Sequence, residues 1–183
     1  MALRATVYKV ELQVSDLDRQ VFGSRSLALA RHPSETEERL MVRLLAYALH
    51  LGEGLEFGRG ISNEDEAAIW QRDLTGRLLL WIEVGLPDER TLRRAAGRAD
   101  AVVLYLYGGR TAAQWWSQNG AAVARMPNLK VVDLPSPFTQ ALAALAARNL
   151  QTQVTVQDGE IWFSAGEQTL HVVPEVRQAG GTA

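Results

Sequence analysis

The chain has 183 residues, of which 47% are hydrophobic and 22% charged, with a net charge of −2. That is the make-up of a folded chain with a sizeable core and excludes a disordered or fibrous one. The absence of cysteine excludes disulfides, thiolate metal sites and cysteine nucleophiles, and with no signal peptide or bilayer-length apolar run, a soluble cytoplasmic protein without a membrane partner is expected.

Residues 4 to 14 alternate, Ala5, Val7, Lys9 and Glu11 opposing Thr6, Tyr8, Val10 and Leu12, which predicts a strand. A second strand, around Val21 to Ala30, follows the polar turn Ser15-Asp16-Leu17-Asp18, so the chain opens with an antiparallel pair. Ser34-Glu35-Thr36-Glu37 reads as a capping box, with the Ser34 hydroxyl accepting one backbone N–H and Glu37 reaching back to another. The helix it starts carries Met41, Leu44, Leu45 and Ala48 on one stripe and ends at Gly52. In its first turn Glu38 can point inward, beneath Met41 and Val42.

Short strands are predicted over Glu56 to Gly58, Ala67 to Gln71 and Leu78 to Val84. Pro87, Asp88 and Glu89 open a helix that Gly97 ends, and a strand from Ala101 to Tyr107 follows. Strand, helix and strand at this spacing form a crossover between parallel strands. A helix from Thr111 to Val123, a strand from Leu129 to Val132 and a helix through Phe138 to Ala147 come next. Val154 and Val156, the turn Asp158-Gly159, then Ile161 and Phe163 make a hairpin, which Thr169 to Val173 extends. Residues 177–183 are expected to be a disordered tail, leaving residues 1–176 as a single domain.

The run Leu78-Leu79-Leu80-Trp81-Ile82-Glu83-Val84 is apolar enough for a strand buried on both faces. An ionised Glu83 there needs a cation, a metal or hydrogen-bond donors to offset its desolvation. Asp65 and Glu66 precede the neighbouring apolar stretch, and Glu38 adds a helical carboxylate. Glu83, Asp65 and Glu66 are candidate ligands for a hard cation such as Mg²⁺, which takes oxygen ligands and keeps several waters. Such an ion polarises a phosphoryl oxygen and generates a hydroxide nucleophile. The plainer alternative makes Glu38 a solvated helix residue, Asp65 and Glu66 loop acids, and Glu83 the partner of an arginine.

Charge is unevenly placed. Residues 34 to 83 carry ten acids and five bases, whereas residues 84 to 130 carry three acids and seven bases. This fits a metal centre beside a phosphate-facing surface, or two differently decorated solvated faces. Tyr107-Gly108-Gly109-Arg110 at a strand end is a candidate anion-facing turn or simply a turn. Trp115-Trp116 offers base stacking or one core ring with its flanking neighbour. His32 is an acid, base or ligand candidate, or a hydrogen-bonded structural residue. There is no Ser/His/Asp arrangement, phosphate-binding P-loop, dinucleotide fingerprint or zinc spacing.

Ala30-Arg31-His32-Pro33-Ser34-Glu35-Thr36, Trp81 to Glu89, Tyr107 to Arg110 with Trp115-Trp116, and Gln157-Asp158-Gly159-Glu160-Ile161-Trp162 together resemble the YaeQ family of bacterial proteins. That family is similar to a compact variant of the PD-(D/E)XK, or restriction-endonuclease-like, fold. The resemblance implies an α/β (α+β) mixed sheet, with extra N-terminal and C-terminal antiparallel strands around a nuclease-type core. It places Glu83 at the second acid of the nuclease motif, Asp65 or Glu66 at the first, and Glu38 at the helix glutamate that some members add. The motif lysine lies two residues after the acid, on the same strand face, and here that position is Gly85, with Lys9 and Lys130 the only lysines in the chain.

Arg90, Arg93 and Arg94 on the following helix are the candidate phosphate contacts. Arginine stabilises phosphate charge but stays protonated at any physiological pH and is no base. Two functions stay open. One is a Mg²⁺-dependent phosphodiesterase acting on nucleic acid through Glu83, Asp65, Glu66 and Glu38. The other is a catalytically silent module on the same fold that binds nucleic acid or protein. A monomer is expected in either case.

Overall fold

The computed structural model describes residues 4–59 and 65–181. In chain order its elements begin with β1 (Thr6–Asp16), β2 (Val21–Arg31), α1 (Glu37–Leu49), β3 (Leu55–Phe57), β4 (Ile69–Arg72), β5 (Leu78–Val84) and α2 (Glu89–Arg98). They continue with β6 (Ala101–Leu106), α3 (Arg110–Val123), β7 (Leu129–Asp133), α4 (Ser136–Ala144), β8 (Asn149–Gln157), β9 (Glu160–Ala165), β10 (Gln168–Val172) and β11 (Glu175–Gln178). Two compact units result, one from residues 1–52 and 137–174, the other from residues 53–136 and 175–183.

The first unit follows from alternation. Tyr8, Val10, Leu12 and Val14 of β1 are buried, as are Leu150, Val154 and Val156 of β8 and Ile161 and Phe163 of β9. Those strands lie in a five-stranded sheet of order β10-β9-β8-β1-β2, with β1 antiparallel to β2 and parallel to β8. Helix α1 lies against β1 and β8, and every residue from Leu40 to Ala48 is buried. In the β8–β9 turn both Asp158 and Gly159 have positive φ, 53° and 76°, the conformation a two-residue type I′ hairpin requires. The Asp18 carboxylate accepts both of their backbone N–H groups, at 2.7 and 2.9 Å.

The start of α1 differs from the capping box expected at Ser34. Thr36 is the N-cap, its hydroxyl accepting the Arg39 N–H at 3.1 Å. Residues 32 to 35 form a turn of their own, in which Glu35 N–H donates to the His32 carbonyl and the Ser34 hydroxyl meets His32 Nδ1. Ser34 is thereby occupied, and Glu37 accepts from the Tyr8 hydroxyl at 3.1 Å instead of reaching back. The helix stops at Leu49, before Gly52, with His50 as its C-cap. Glu35 faces inward and receives Arg43 at 2.7 and 2.9 Å and Arg39 at 2.7 Å. Burial pulls the Arg43 guanidinium below its ordinary pKa, and the Glu35 carboxylate opposes that pull.

The second unit is a six-stranded mixed sheet of order β11-β7-β6-β5-β4-β3. β3, β4 and β5 are antiparallel neighbours, β5, β6 and β7 are parallel, and α2 and α3 are the crossovers. Trp81, Leu92, Ala95, Leu104, Leu106, Trp115 and Val131 belong to one buried cluster that packs both helices on the sheet. Trp81 is fully buried; with about 200 Å² removed from water at about 25 cal/mol per Å², it contributes on the order of 5 kcal/mol.

Two boundaries differ from expectation here. Asp88 is the N-cap of α2, so Pro87 lies outside the helix, and the helix runs through the exposed Gly97 to Arg98. Residues 177 and 178, expected in a disordered tail, belong to β11, antiparallel to β7. The reason is polar: the Gln178 amide donates to the carbonyls of Val123, Met126 and Leu129, and Arg177 pairs with Asp133 at 3.0 Å. Residues 182 and 183 of that tail lie outside the described residues.

Candidate functional site

Alternation puts Trp81 and Glu83 on one face of β5. Both are buried, and the Trp81 indole N–H donates to Glu83 Oε1 at 2.7 Å. A buried indole N–H needs an acceptor, and Glu83 supplies it. Around Trp81 the packing is aromatic and cationic. Trp70 meets it edge-on at 6.0 Å between centroids, and the Arg98 guanidinium lies 5.4 Å from its ring.

Gly85 follows just past the end of β5, at the position where the resemblance implies the motif lysine. Its φ is +98° and its N–H donates to the Tyr105 carbonyl at 2.9 Å. A Cβ built there meets nothing closer than Tyr107 at 4.0 Å, so space is not the obstacle. The backbone is, because L side chains avoid that region. The strand end is shaped for glycine, and a lysine does not fit its conformation.

Asp65 and Glu66 precede β4, the antiparallel neighbour of β5. Asp65 is exposed and turned to α2, its Oδ1 accepting from Arg94 at 3.1 Å while Arg98 donates to its backbone carbonyl at 3.2 Å. Glu66 accepts the backbone N–H of Arg59 at 2.8 Å. On α2 itself, Arg93 pairs with Glu89 one turn earlier, and Arg90 is exposed. Glu89, Arg90, Arg93 and Arg94 line an open concavity of about 620 Å³. The helix starts firmly, since Asp88 Oδ1 accepts the Thr91 N–H at 2.8 Å. That backbone bond, with the Thr91 hydroxyl second, holds the Asp88 carboxyl below its ordinary pKa.

The remaining candidates have structural partners. Glu38 belongs to the first unit, half-buried, and accepts from the Thr139 hydroxyl at 2.7 Å. Trp115 is core, its indole N–H on the Pro87 carbonyl at 2.8 Å, and Trp116 packs partly exposed beside the same cluster. His32 is held by Ser34. Gly108 and Gly109 both have positive φ and turn the chain from β6 into α3.

Among the described residues no three His, Cys, Asp or Glu side chains are grouped so that they could hold a metal. Glu83, Asp65 and Glu66 each commit an oxygen to a protein donor. A Mg²⁺ shell asks for near-octahedral oxygens at close range, and this set does not fit one. No helix among the described residues is long and apolar enough to cross a membrane.

A family model described as YaeQ protein matches residues 1–174. The chain belongs to the YaeQ family. It is 45% identical over 172 residues to the YaeQ proteins of Salmonella typhi and of Escherichia coli (strain K12), covering 94% of this chain and 95% of each relative. The crystal structure of the YaeQ protein from Xanthomonas axonopodis pv. citri is similar with a TM-score of 0.92 at 48% identity, covering 96% of this chain and 99% of that one. That from Pseudomonas syringae gives 0.91 at 36% identity, covering 98% of each. The mixed α/β architecture read from the sequence is thus the architecture of YaeQ structures.

Within this YaeQ-family chain, Asp65 is by sequence a candidate for a metal and Arg94 a candidate for phosphate. The structure makes them partners of each other. Sequence reasoning misses Trp81 as the partner of Glu83, although their spacing of two along a strand is the available signal. Arg98 was not singled out either, and it bridges the Trp81 ring and the Asp65 carbonyl.

Proposed function

We propose that this YaeQ-family chain is a catalytically silent nucleic-acid-binding protein on a PD-(D/E)XK-like core, with the α2 arginines as its phosphate contact. The order α1-β3-β4-β5-α2-β6, with antiparallel β3, β4 and β5 and a parallel β6, supports the assignment of the core. The arginine-lined concavity of α2 is the observation that carries the function. Arginine forks match phosphate oxygens in a fixed geometry and retain their charge at every physiological pH. Catalytic silence is supported by the glycine conformation at Gly85 and by the indole bond on Glu83.

The test is fluorescence anisotropy with labelled single-stranded and duplex oligonucleotides over a salt series. Affinity should fall steeply with salt, because counterions released from the phosphates drive the association. An Arg90→Ala/Arg93→Ala/Arg94→Ala variant should lose most of it. Absence of binding at low salt, or full binding by the triple variant, rejects the reading. Mg²⁺-dependent cleavage by the wild type that Glu83→Gln loses would replace it with the phosphodiesterase.

A further inference from the structure

The solvent face of the first unit's sheet plays no part in that reading, and it is not featureless. It holds a concavity of about 450 Å³ whose polar lining includes Glu11, Gln13, Ser24, Gln151, Gln153 and Ser164. The register sets Ser24 opposite Gln13, Gln13 opposite Gln153 and Gln153 opposite Ser164, so one row of amides and hydroxyls crosses four strands. Gln151 lies opposite Glu11 in the adjoining row. Among the described residues, the amides of Gln13, Gln151 and Gln153 and the hydroxyl of Ser24 have no partner within the chain.

Charge narrows the ligand. No lysine or arginine lines the concavity, and its one carboxylate, Glu11, already accepts from the Ser26 hydroxyl at 2.6 Å. A phosphodiester or an anionic lipid surface requires cations. An extended peptide adds to the edge of a sheet and leaves its face free. An apolar ligand asks for predominantly apolar walls.

What suits three free amides in rows is a neutral ligand rich in hydroxyls. Each amide offers an acceptor oxygen and a donor nitrogen side by side, and vicinal hydroxyls of a sugar present the complementary pair. One register row away on the same face stand Phe22, which is 65% exposed, and Trp162, whose ring lies 5.0 Å from that of His171. An exposed ring beside such a row receives the C–H face of a pyranose, using its large amphipathic surface. β-sheet faces serve lectin folds and oligosaccharide-binding barrels in the same way. We infer that this sheet face is a binding site for a neutral oligosaccharide.

The experiment is an NMR titration of the full chain, uniformly ¹⁵N-labelled, with maltotetraose, cellotetraose and chitotetraose in turn, each to about 10 mM, enough to see a millimolar complex. The side-chain NH₂ signals of Gln13, Gln151 and Gln153 and the Trp162 indole signal should move with at least one of the three. A Gln13→Ala/Gln153→Ala variant, altered only at the solvent face, should keep its melting temperature and bind about tenfold or more weakly. No shift with any of the sugars overturns the inference. So does a shift that the double variant retains in full. Equal shifts with a sulfated hexasaccharide would overturn the neutrality on which the ligand class rests.

Discussion

The Trp81 indole N–H and Glu83 Oε1 are 2.7 Å apart, inside a strand where both side chains are buried. The carboxylate that the family resemblance puts forward as a nuclease acid is thus the acceptor for a core tryptophan. Glu83→Gln keeps an oxygen in that place and should leave stability close to wild type. Glu83→Leu strands the indole N–H and should cost about 1–3 kcal/mol. Urea unfolding of both variants measures the difference, and calorimetry with Mg²⁺ and Mn²⁺ should give no binding heat in wild type or Glu83→Gln.

Gly85→Lys would put a lysine where the proposed nuclease-like core calls for one. With φ at +98°, the backbone there resists any L side chain, so the substitution should destabilise by about 1–3 kcal/mol. Gly85→Ala should cost nearly as much, because the strain resides in the main chain. A gain of nuclease activity in Gly85→Lys without loss of stability would contradict this.

If the α2 arginines contact phosphate as proposed, Asp65 competes for Arg94, since their side chains are already paired at 3.1 Å. Asp65→Asn should therefore raise affinity for a labelled oligonucleotide, by about two- to fivefold at low salt given how little an exposed pair is worth. Arg94→Ala should lower affinity and flatten the salt dependence by about one phosphate contact. Were Asp65 a metal ligand instead, Asp65→Asn would weaken any Mg²⁺-supported binding, so anisotropy with and without Mg²⁺ separates the two roles.

The helices and strands were largely legible, because their side chains obey a local period. β5 is legible residue for residue in a run that is apolar but for Glu83, and the β8–β9 turn in Asp158-Gly159. The start of α1 was not, because Ser34-Glu35-Thr36-Glu37 contains two hydroxyl residues able to cap. The choice fell to Thr36 through the bond between His32 and Ser34. The candidate site was legible in its parts but not in its pairing. Nothing in sequence order links Asp65 to Arg94, and a glycine at position 85 announces no φ until the strand end around it is built.

Glu35 and Arg43 offer a second stability test. Their side chains are 1% and 3% exposed, so removing one charge leaves the other buried without its counterion. Glu35→Gln should cost about 3–5 kcal/mol, read by urea unfolding.

Asp88 gives a pH signature. Its carboxyl is held below the ordinary carboxylate pKa by the Thr91 N–H. A group lowered on folding contributes its full stability above the unfolded-state pKa and loses it as pH falls through the folded one. Melting temperature should therefore decline in acid more steeply for wild type than for Asp88→Asn. At neutral pH, Asp88→Ala should cost about 1 kcal/mol as a lost N-cap.

β1 pairs in parallel with β8, from Lys9 opposite Asn149 to Asp16 opposite Val156, and residues 53–136 intervene between them in the chain. During synthesis at about 5–20 residues per second, the first hairpin waits on the order of ten seconds for its third strand. Throughout that interval one rim of β1 is open to any passing strand, even after α1 has been made to cover its inner face. A nascent chain thus carries an open strand edge for longer than the ribosome takes to make residues 53–136.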